Sequence, residues 1–383
     1  MIPFARPLID KSDLDSVTDC LKSPQLAHGP LASKFEDSFV EYMGGGYATT
    51  TSSATTALQL AYMSLGIGPG DEVIVTSLTH VATANSIVSC GAKPVFVDIN
   101  LQNGNIDTDA IEAAITTATK AICVVHYIGI PVEMNKVVSI AKRNSLSIIE
   151  DCALALGARI SGTHVGLVGD FGVFSFYPAK HMTTGEGGML VSKNKEFIEE
   201  AKKRKAFYYD KNVGERNIPG NYDIVGFGLN YRMSELSCSI GISQLKKIPG
   251  MFAKRRKNAL ILQDIITASL YGSLVSIPQT ENAQSAHYCA VFLLEYAFSD
   301  KRETLIKHLN DMGIGTSIYY PVSLPQSKLF QSRPDLSRLI QDKNAQIFSK
   351  SNIALPIGPH LEPDDIEYLG HTVMTSLVEV LGK

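Results

Sequence analysis

Residues 174–188 read Phe174-Ser175-Phe176-Tyr177-Pro178-Ala179-Lys180-His181-Met182-Thr183-Thr184-Gly185-Glu186-Gly187-Gly188, and the rest of the chain organises itself around them. The aromatic, apolar residues that lead in (Phe171, Val173, Phe174, Phe176) have the character of a buried strand. Pro178, with no N–H to give to a ladder, ends it. Lys180 therefore stands on the turn after a strand, at the edge where open α/β sheets carry their chemistry. The small residues from Thr183 to Gly188 let the backbone fold closely around a ligand before Met189–Val191 resumes an apolar strand. Partial desolvation in such a place lowers the amine's pKa and leaves an unprotonated fraction able to form a Schiff base with an aldehyde. Most lysines are solvated surface groups, so this reading of Lys180 needs support from elsewhere.

On either side runs a rhythm of short strand then helix. Apolar segments at Tyr47–Ser53, Glu72–Ser77, Pro94–Ile99, Ala121–Tyr127, Ser147–Cys152, Phe171–Phe176 and Gly188–Ser192 read as strands. Amphipathic stretches at Thr55–Gly66, Ala82–Cys90, Thr108–Ile115, Val132–Arg143 and Glu196–Lys205 read as helices between them. Seven strands alternating with helices predict an α/β fold with a mostly parallel sheet covered on both faces. Residues 207–232 lose periodicity and read as a long surface excursion, of the kind that is usually functional. A helix is predicted over Met233–Ile248, ending at Pro249, then a basic helix over Phe252–Leu270 and strands at Cys289–Tyr296 and Thr316–Tyr320. The predicted organisation is a large domain over 1–249 and a smaller C-terminal α+β domain over 250–383.

Bulk properties narrow the function. With 383 residues, 45% hydrophobic and 19% charged, the chain can bury a large core, so disorder is not the expectation. A net charge of -3 gives no electrostatic case for nucleic acid or an anionic membrane. Six scattered cysteines and nine dispersed histidines suggest neither a disulfide framework nor a metal site. With no signal segment and no apolar run of membrane length, the expected location is the cytoplasm. A nicotinamide enzyme would also be α/β, but no G-x-G-x-x-G follows an early strand, and Gly44-Gly45-Gly46 precedes the first one.

Three further segments supply parts that an aldehyde cofactor with a phosphate and a pyridine ring would need. Thr51-Ser52-Ser53-Ala54-Thr55-Thr56-Ala57-Leu58 passes from strand to helix, where N–H groups favour an anion; Ser and Thr also serve there as ordinary N-caps. His80, on the loop after the second strand, offers a planar ring for stacking, or simply a backbone hydrogen bond. Ile148-Ile149 ends in Glu150-Asp151, and a carboxylate buried at a strand's end is costly unless paired. Asp151 facing a protonated ring nitrogen meets that condition. Glu150 points the other way by strand alternation and reads as structural.

With these parts in place the chain resembles the DegT/DnrJ/EryC1 family of sugar aminotransferases. The likeness runs through Ser52–Leu58, Gly68–Val75, Ala92–Asp98, Ile149–Asp151, Phe174–Lys180, Thr184–Gly188, Gly228–Leu236 and Gly313–Thr316. It implies a fold type I transferase that uses pyridoxal 5'-phosphate (PLP) and works as a homodimer with shared active sites. Carried over by position, Lys180 is the lysine that joins the cofactor and Asp151 its ring-nitrogen partner. His80 is the stacking residue, while Ala54, Thr55 and Ser175 hold the phosphate, with Asn230 reaching it from the neighbouring subunit. Some relatives carry histidine at the lysine position and act as dehydratases; lysine here implies transamination. The chain departs from the family at Leu154, where members often place histidine or glutamine beside the cofactor's phenolic oxygen.

The resemblance implies an amino donor, glutamate, and a keto-sugar acceptor, giving an amino sugar for lipopolysaccharide or a related glycoconjugate. The alternatives are a keto sugar acid without a nucleotide and, in another class, a PLP-binding regulatory protein without catalysis. Candidate substrate residues are His28, Arg232, Tyr319 and Tyr320. The runs Lys202-Lys203-Arg204-Lys205 and Lys254-Arg255-Arg256-Lys257 are candidates for a diphosphate, although charge runs on helices are usually solvated faces.

Overall fold

Alternation of side chains across a strand decides how the core is divided. In the segment Glu72–Thr76, Val73 and Val75 are buried in one apolar cluster and Ile74 in another, because successive residues face opposite sides. A sheet with two apolar faces needs cover on both. The structure, a computed structural model describing residues 1–211, 217–266, 269–275 and 282–382, supplies it with helices on each side.

The strands important here are β1 (Tyr47–Thr51), β2 (Glu72–Thr76), β3 (Lys93–Val97), β4 (Thr119–Val125), β5 (Ser147–Asp151), β6 (Phe171–Ser175) and β7 (Gly188–Ser192). These are the seven expected from the sequence, within one or two residues at most ends. The C-terminal part adds β8 (Gly272–Leu274), β9 (Ala290–Leu294), β10 (Arg338–Leu339) and β11 (Asn352–Leu355). The large sheet has the order β1-β7-β6-β5-β4-β2-β3-β10. Its pairings are parallel except around β7, which runs antiparallel to both β1 and β6. It follows that β1, β2, β5 and β6 all end on the same edge.

The eighth strand was not anticipated. β10 is two residues long, too short for a periodic signal, and is held by Arg338, whose guanidinium makes a bidentate pair with Glu72 at 2.9 and 2.7 Å. A second sheet, β8-β9-β11, is antiparallel and packs in its own cluster with Leu262, Leu305, Leu309, Ile366 and Leu377. A further cluster, including Leu78, Tyr127, Leu154, Tyr288 and Phe348, joins the two parts.

Three sequence expectations need correction. The helix expected to end at Pro249 runs unbroken over Glu235–Ile265. A mid-helix proline costs a hydrogen bond and crowds the preceding turn, but Leu245, Ile248 and Met251 around it are buried, as are Asn258 and Leu262 beyond. Packing along the whole length outweighs the local penalty, and the boundary drawn at 249/250 falls inside this helix. Thr316–Tyr320 is not a strand; it touches Ala354 through one bridge at Ser317. Thr108–Ile115 is a 3-10 turn followed by a single helical turn, Ile111–Ala114. Residues 212–216 of the excursion and 267–268 of the expected basic helix lie outside the described residues. Among the described residues no helix is long and apolar enough to cross a membrane.

Candidate active site

The shared edge of β1, β2, β5 and β6 opens into a cavity of about 390 Å³. Ala54, Thr55, His80, Asp151, Ser175, Lys180, Tyr319 and Tyr320 all line it, so eight of the residues singled out in the sequence meet at one place. Strand ends bring them there: Ser53 follows β1, His80 follows β2, Asp151 closes β5 and Ser175 closes β6.

At the end of β1, Ser53 caps the helix Ala54–Ser64. Its hydroxyl accepts from Thr56 N at 3.2 Å while Thr56 Oγ1 accepts from Ser53 N at 3.1 Å. The N-cap and cradle readings of this turn are compatible. The cap engages Thr56, whereas the first-turn N–H groups of Ala54 and Thr55 have no carbonyl within the helix to bond and border the cavity. Gly188 makes this approach possible, since a Cβ there would lie 2.5 Å from the Ser53 carbonyl carbon and 2.7 Å from Ala54 N.

His80 caps the helix Val81–Ser89, with Nδ1 accepting from Ala82 N at 3.1 Å. Burial, together with the Lys180 charge, holds the ring below its usual pKa. A neutral ring therefore faces the cavity, its edge toward Tyr320 with centroids 6.1 Å apart.

The paired carboxylates separate as strand alternation requires. Glu150 is fully buried on the far face and accepts from Gly166 N, Val168 N and Gly169 N at 2.8, 2.9 and 2.7 Å, with His126 Nε2 at 3.0 Å. Burial pushes its pKa up, but these partners outweigh burial and the net shift is downward. Asp151 faces the cavity and accepts from Thr83 Oγ1 at 2.8 Å and Ala153 N at 3.0 Å. Cys152 lies near Glu150 and His126, but the hydrogen bonds onto Glu150 already account for that carboxylate.

Lys180 is desolvated, which lowers its pKa to about 8, with the Asp151 carboxylate opposing the shift. Nζ stands 5.7 Å from the centre of the Tyr288 ring. Tyr288 itself was missed in the sequence; it precedes Cys289 with no motif around it. Its hydroxyl pairs with that of Tyr319 at 2.8 Å, and the Tyr319 backbone is held by Tyr127 Oη and by Asn352 Oδ1, the latter at 2.8 Å. Thr83 was also missed, since nothing local marks a threonine in an apolar helix. Leu154 lines the cavity as an apolar wall and offers no hydrogen bond to a cofactor oxygen.

The other candidates lie elsewhere. His28, at φ 57°, sits on the loop before the helix Pro30–Met43, whose N-terminus is capped from afar by Glu235, accepting from Leu31 N at 2.7 Å and Ala32 N at 3.2 Å. Asn230 is exposed and forms a bridge with Ala206. Arg232 lies over the Phe207 ring at 5.3 Å. The cationic runs are largely occupied in holding the fold: Lys205 with Glu36 and Thr50, Arg204 with Glu200, Lys254 with Glu362, and buried Arg255 on the Tyr288 carbonyl.

A desolvated amine, a carboxylate with acceptor capacity left, a flat neutral ring and a helix N-terminus form a donor and acceptor set that fits a phosphorylated pyridine aldehyde. The chain belongs to the DegT/DnrJ/EryC1/StrS aminotransferase family, whose profile matches residues 7–374, and it is a PLP-dependent sugar aminotransferase. It is 33% identical to the UDP-4-amino-4,6-dideoxy-N-acetyl-beta-L-altrosamine transaminase of Campylobacter jejuni serotype O:23/36, over 99% of this chain and 98% of the relative. It is 34% identical to the GDP-perosamine synthase of Escherichia coli O157:H7, over 97% of each. The Streptococcus pneumoniae protein Spr1654, solved in a PLP form, superimposes with a TM-score of 0.90 at 26% identity over 99% of each chain.

Proposed function

We propose that this enzyme moves an amino group from glutamate to a nucleotide-linked keto sugar, giving an amino sugar for lipopolysaccharide or a related glycoconjugate. The observation that carries the reading is the meeting of Lys180, Asp151 and the Ala54–Thr55 helix start in one cavity. The two relatives named for UDP- and GDP-linked sugars support a nucleotide on the acceptor.

In this reading the Ala54 and Thr55 N–H groups and the Ser175 hydroxyl bind the cofactor phosphate, His80 flanks the ring, and Asp151 accepts from its nitrogen. Bound PLP supplies an aldehyde for the amino group and a ring that draws off the electron pair left at the donor α-carbon. Lys180 is the amine that joins the cofactor and, once released, moves a proton at that α-carbon. Tyr319 and Tyr320 close the cavity beside the sugar, and His28 and Arg232 act in sugar recognition.

The working unit is a homodimer in which the partner's Asn230 reaches the cofactor phosphate. In support, the excursion that carries Asn230 exposes Ile218, Ile224, Val225 and Phe227, each more than half accessible, a clustering that marks an interaction surface. The setting proposed is the cytoplasm, in keeping with six cysteines that are all free thiols.

One observation favours a second acceptor. Lys180 is the only lysine or arginine among the described residues lining the cavity, which suits a keto sugar acid without a diphosphate. A half-reaction screen of the pyridoxamine form against keto sugars with and without a nucleotide, read by product mass, decides between them. The core assignment is tested by borohydride reduction and digestion: the pyridoxyl adduct is expected on the peptide containing Lys180, and its absence there overturns the assignment.

A further inference from the structure

The proposed mechanism leaves unused a pair of hydroxyls behind Asp151. Thr79, 1% accessible, stands on the turn after β2, and Thr83, 0% accessible, in the first turn of the helix Val81–Ser89. Thr79 Oγ1 lies 2.9 Å from Thr83 Oγ1, which lies 2.8 Å from Asp151 Oδ2. Valence sets the direction of this chain. An ionised carboxylate only accepts, so the single Thr83 proton goes to Asp151, and the Thr83 oxygen then receives the Thr79 proton. The other carboxylate oxygen accepts from Ala153 N at 3.0 Å.

Each Asp151 oxygen thus has one fixed donor and acceptor capacity left over on the cavity side. Moving a proton onto Oδ2 would reverse both buried threonine hydroxyls, or leave a buried oxygen facing a buried oxygen, which is costly. The far face shows how the same strand end looks when it is complete: among the described residues four donors close around Glu150, whereas two close around Asp151.

We propose that Thr83, backed by Thr79, is a positioning residue that keeps Asp151 an acceptor aimed into the cavity, so that the site selects cofactor carrying a proton on its ring nitrogen. The inference rests on the reading of Asp151 given above and extends it to the hydroxyls that support that carboxylate. A Thr83→Val substitution keeps the shape and removes the hydroxyl.

The experiment loads the wild type and variants with PLP labelled with 15N in the ring, and reads the nitrogen resonance and the cofactor dissociation constant. In Thr83→Val the resonance moves from the pyridinium toward the pyridine range, and the dissociation constant rises roughly tenfold, the scale of one hydrogen bond to a charged group. Thr83→Ser, which keeps the hydroxyl and loses the methyl, restores both; Thr79→Val shifts both in the same direction by less. If Thr83→Val does not fold, Thr83→Ala carries the same comparison with Thr83→Ser. The proposal is overturned if the valine variant keeps the wild-type resonance and binds cofactor within twofold. It is equally overturned if serine fails to restore what valine loses, since the methyl and not the hydroxyl would then be at work. A Thr79→Val variant identical to the wild type removes Thr79 from the chain. If the wild type itself gives no reduced adduct on Lys180, it is the underlying function that fails, not this inference alone.

Discussion

The two faces of the sheet at the end of β5 hold adjacent carboxylates with opposite fates. On the far face Glu150 is enclosed by three backbone N–H groups and His126, donors that gather the loop 166–169 around it. On the cavity face Asp151 receives, among the described residues, Thr83 and Ala153 alone. A buried carboxylate with its donors supplied is a structural fastener, because removing it strands every one of them. A carboxylate left partly supplied at a cavity wall is prepared for a ligand. The difference lies in what surrounds each residue, not in the residue type.

Substitutions on the two faces should differ in kind and in size. Lys180→Ala should reduce amino transfer by about ten thousandfold, the upper range for a lost acid–base group, with an unchanged circular dichroism spectrum; activity within tenfold of wild type would move the chemistry off the cavity face. Glu150→Ala should lower unfolding stability by ~3 kcal/mol or more in a denaturant titration, because several buried donors lose their acceptor at ~1–3 kcal/mol each. Because Glu150 titrates below its ordinary value in the fold, the stability it contributes is present above the unfolded carboxyl pKa. It is lost as pH falls through the folded value, so the gap between mutant and wild type should narrow under acid.

Asp151→Asn should invert that pattern, lowering kcat by about a hundredfold, the scale of one preorganised electrostatic contact, while the melting midpoint stays close to wild type. A large loss of stability would make Asp151 a fastener too. Lys180, lowered to about 8, predicts that the rate of PLP attachment to apoprotein rises about tenfold per pH unit and levels off near pH 8. A free lysine would keep rising to about 10.4, so a plateau there would mean no desolvation at this position. The smallest effect is expected of Tyr288→Phe, which removes one hydroxyl pairing; a net loss of ~0.5–1.5 kcal/mol in stability, with the sugar KM changed a few-fold, would place the tyrosines at the rim and not in the chemistry.

Much of this was written locally. The period-two alternation of Ile148, Ile149, Glu150 and Asp151 was enough to send the two carboxylates to opposite faces, and Pro178 was enough to end β6 before Lys180. Alternating strands and helices determined an α/β sheet whose strand ends gather Ser53, His80, Asp151 and Ser175, since those signals depend on neighbours a few residues apart. Other features depended on partners distant in the chain. Thr83 reaches Asp151 across 68 positions, Tyr288 meets Tyr319 across 31, and β10 joins the sheet through an arginine pairing with Glu72 from 266 positions away. The helix through Pro249 likewise holds because its buried side chains outweigh a local penalty. Backbone periodicity and turn chemistry are encoded over a few residues, so the sequence alone determined seven of the sheet's eight strands and the strand ends that carry Ser53, His80, Asp151 and Ser175. Which donors saturate a carboxylate and which cations are already taken was decided only by tertiary packing, because hydrogen bonds and ion pairs are satisfied through space.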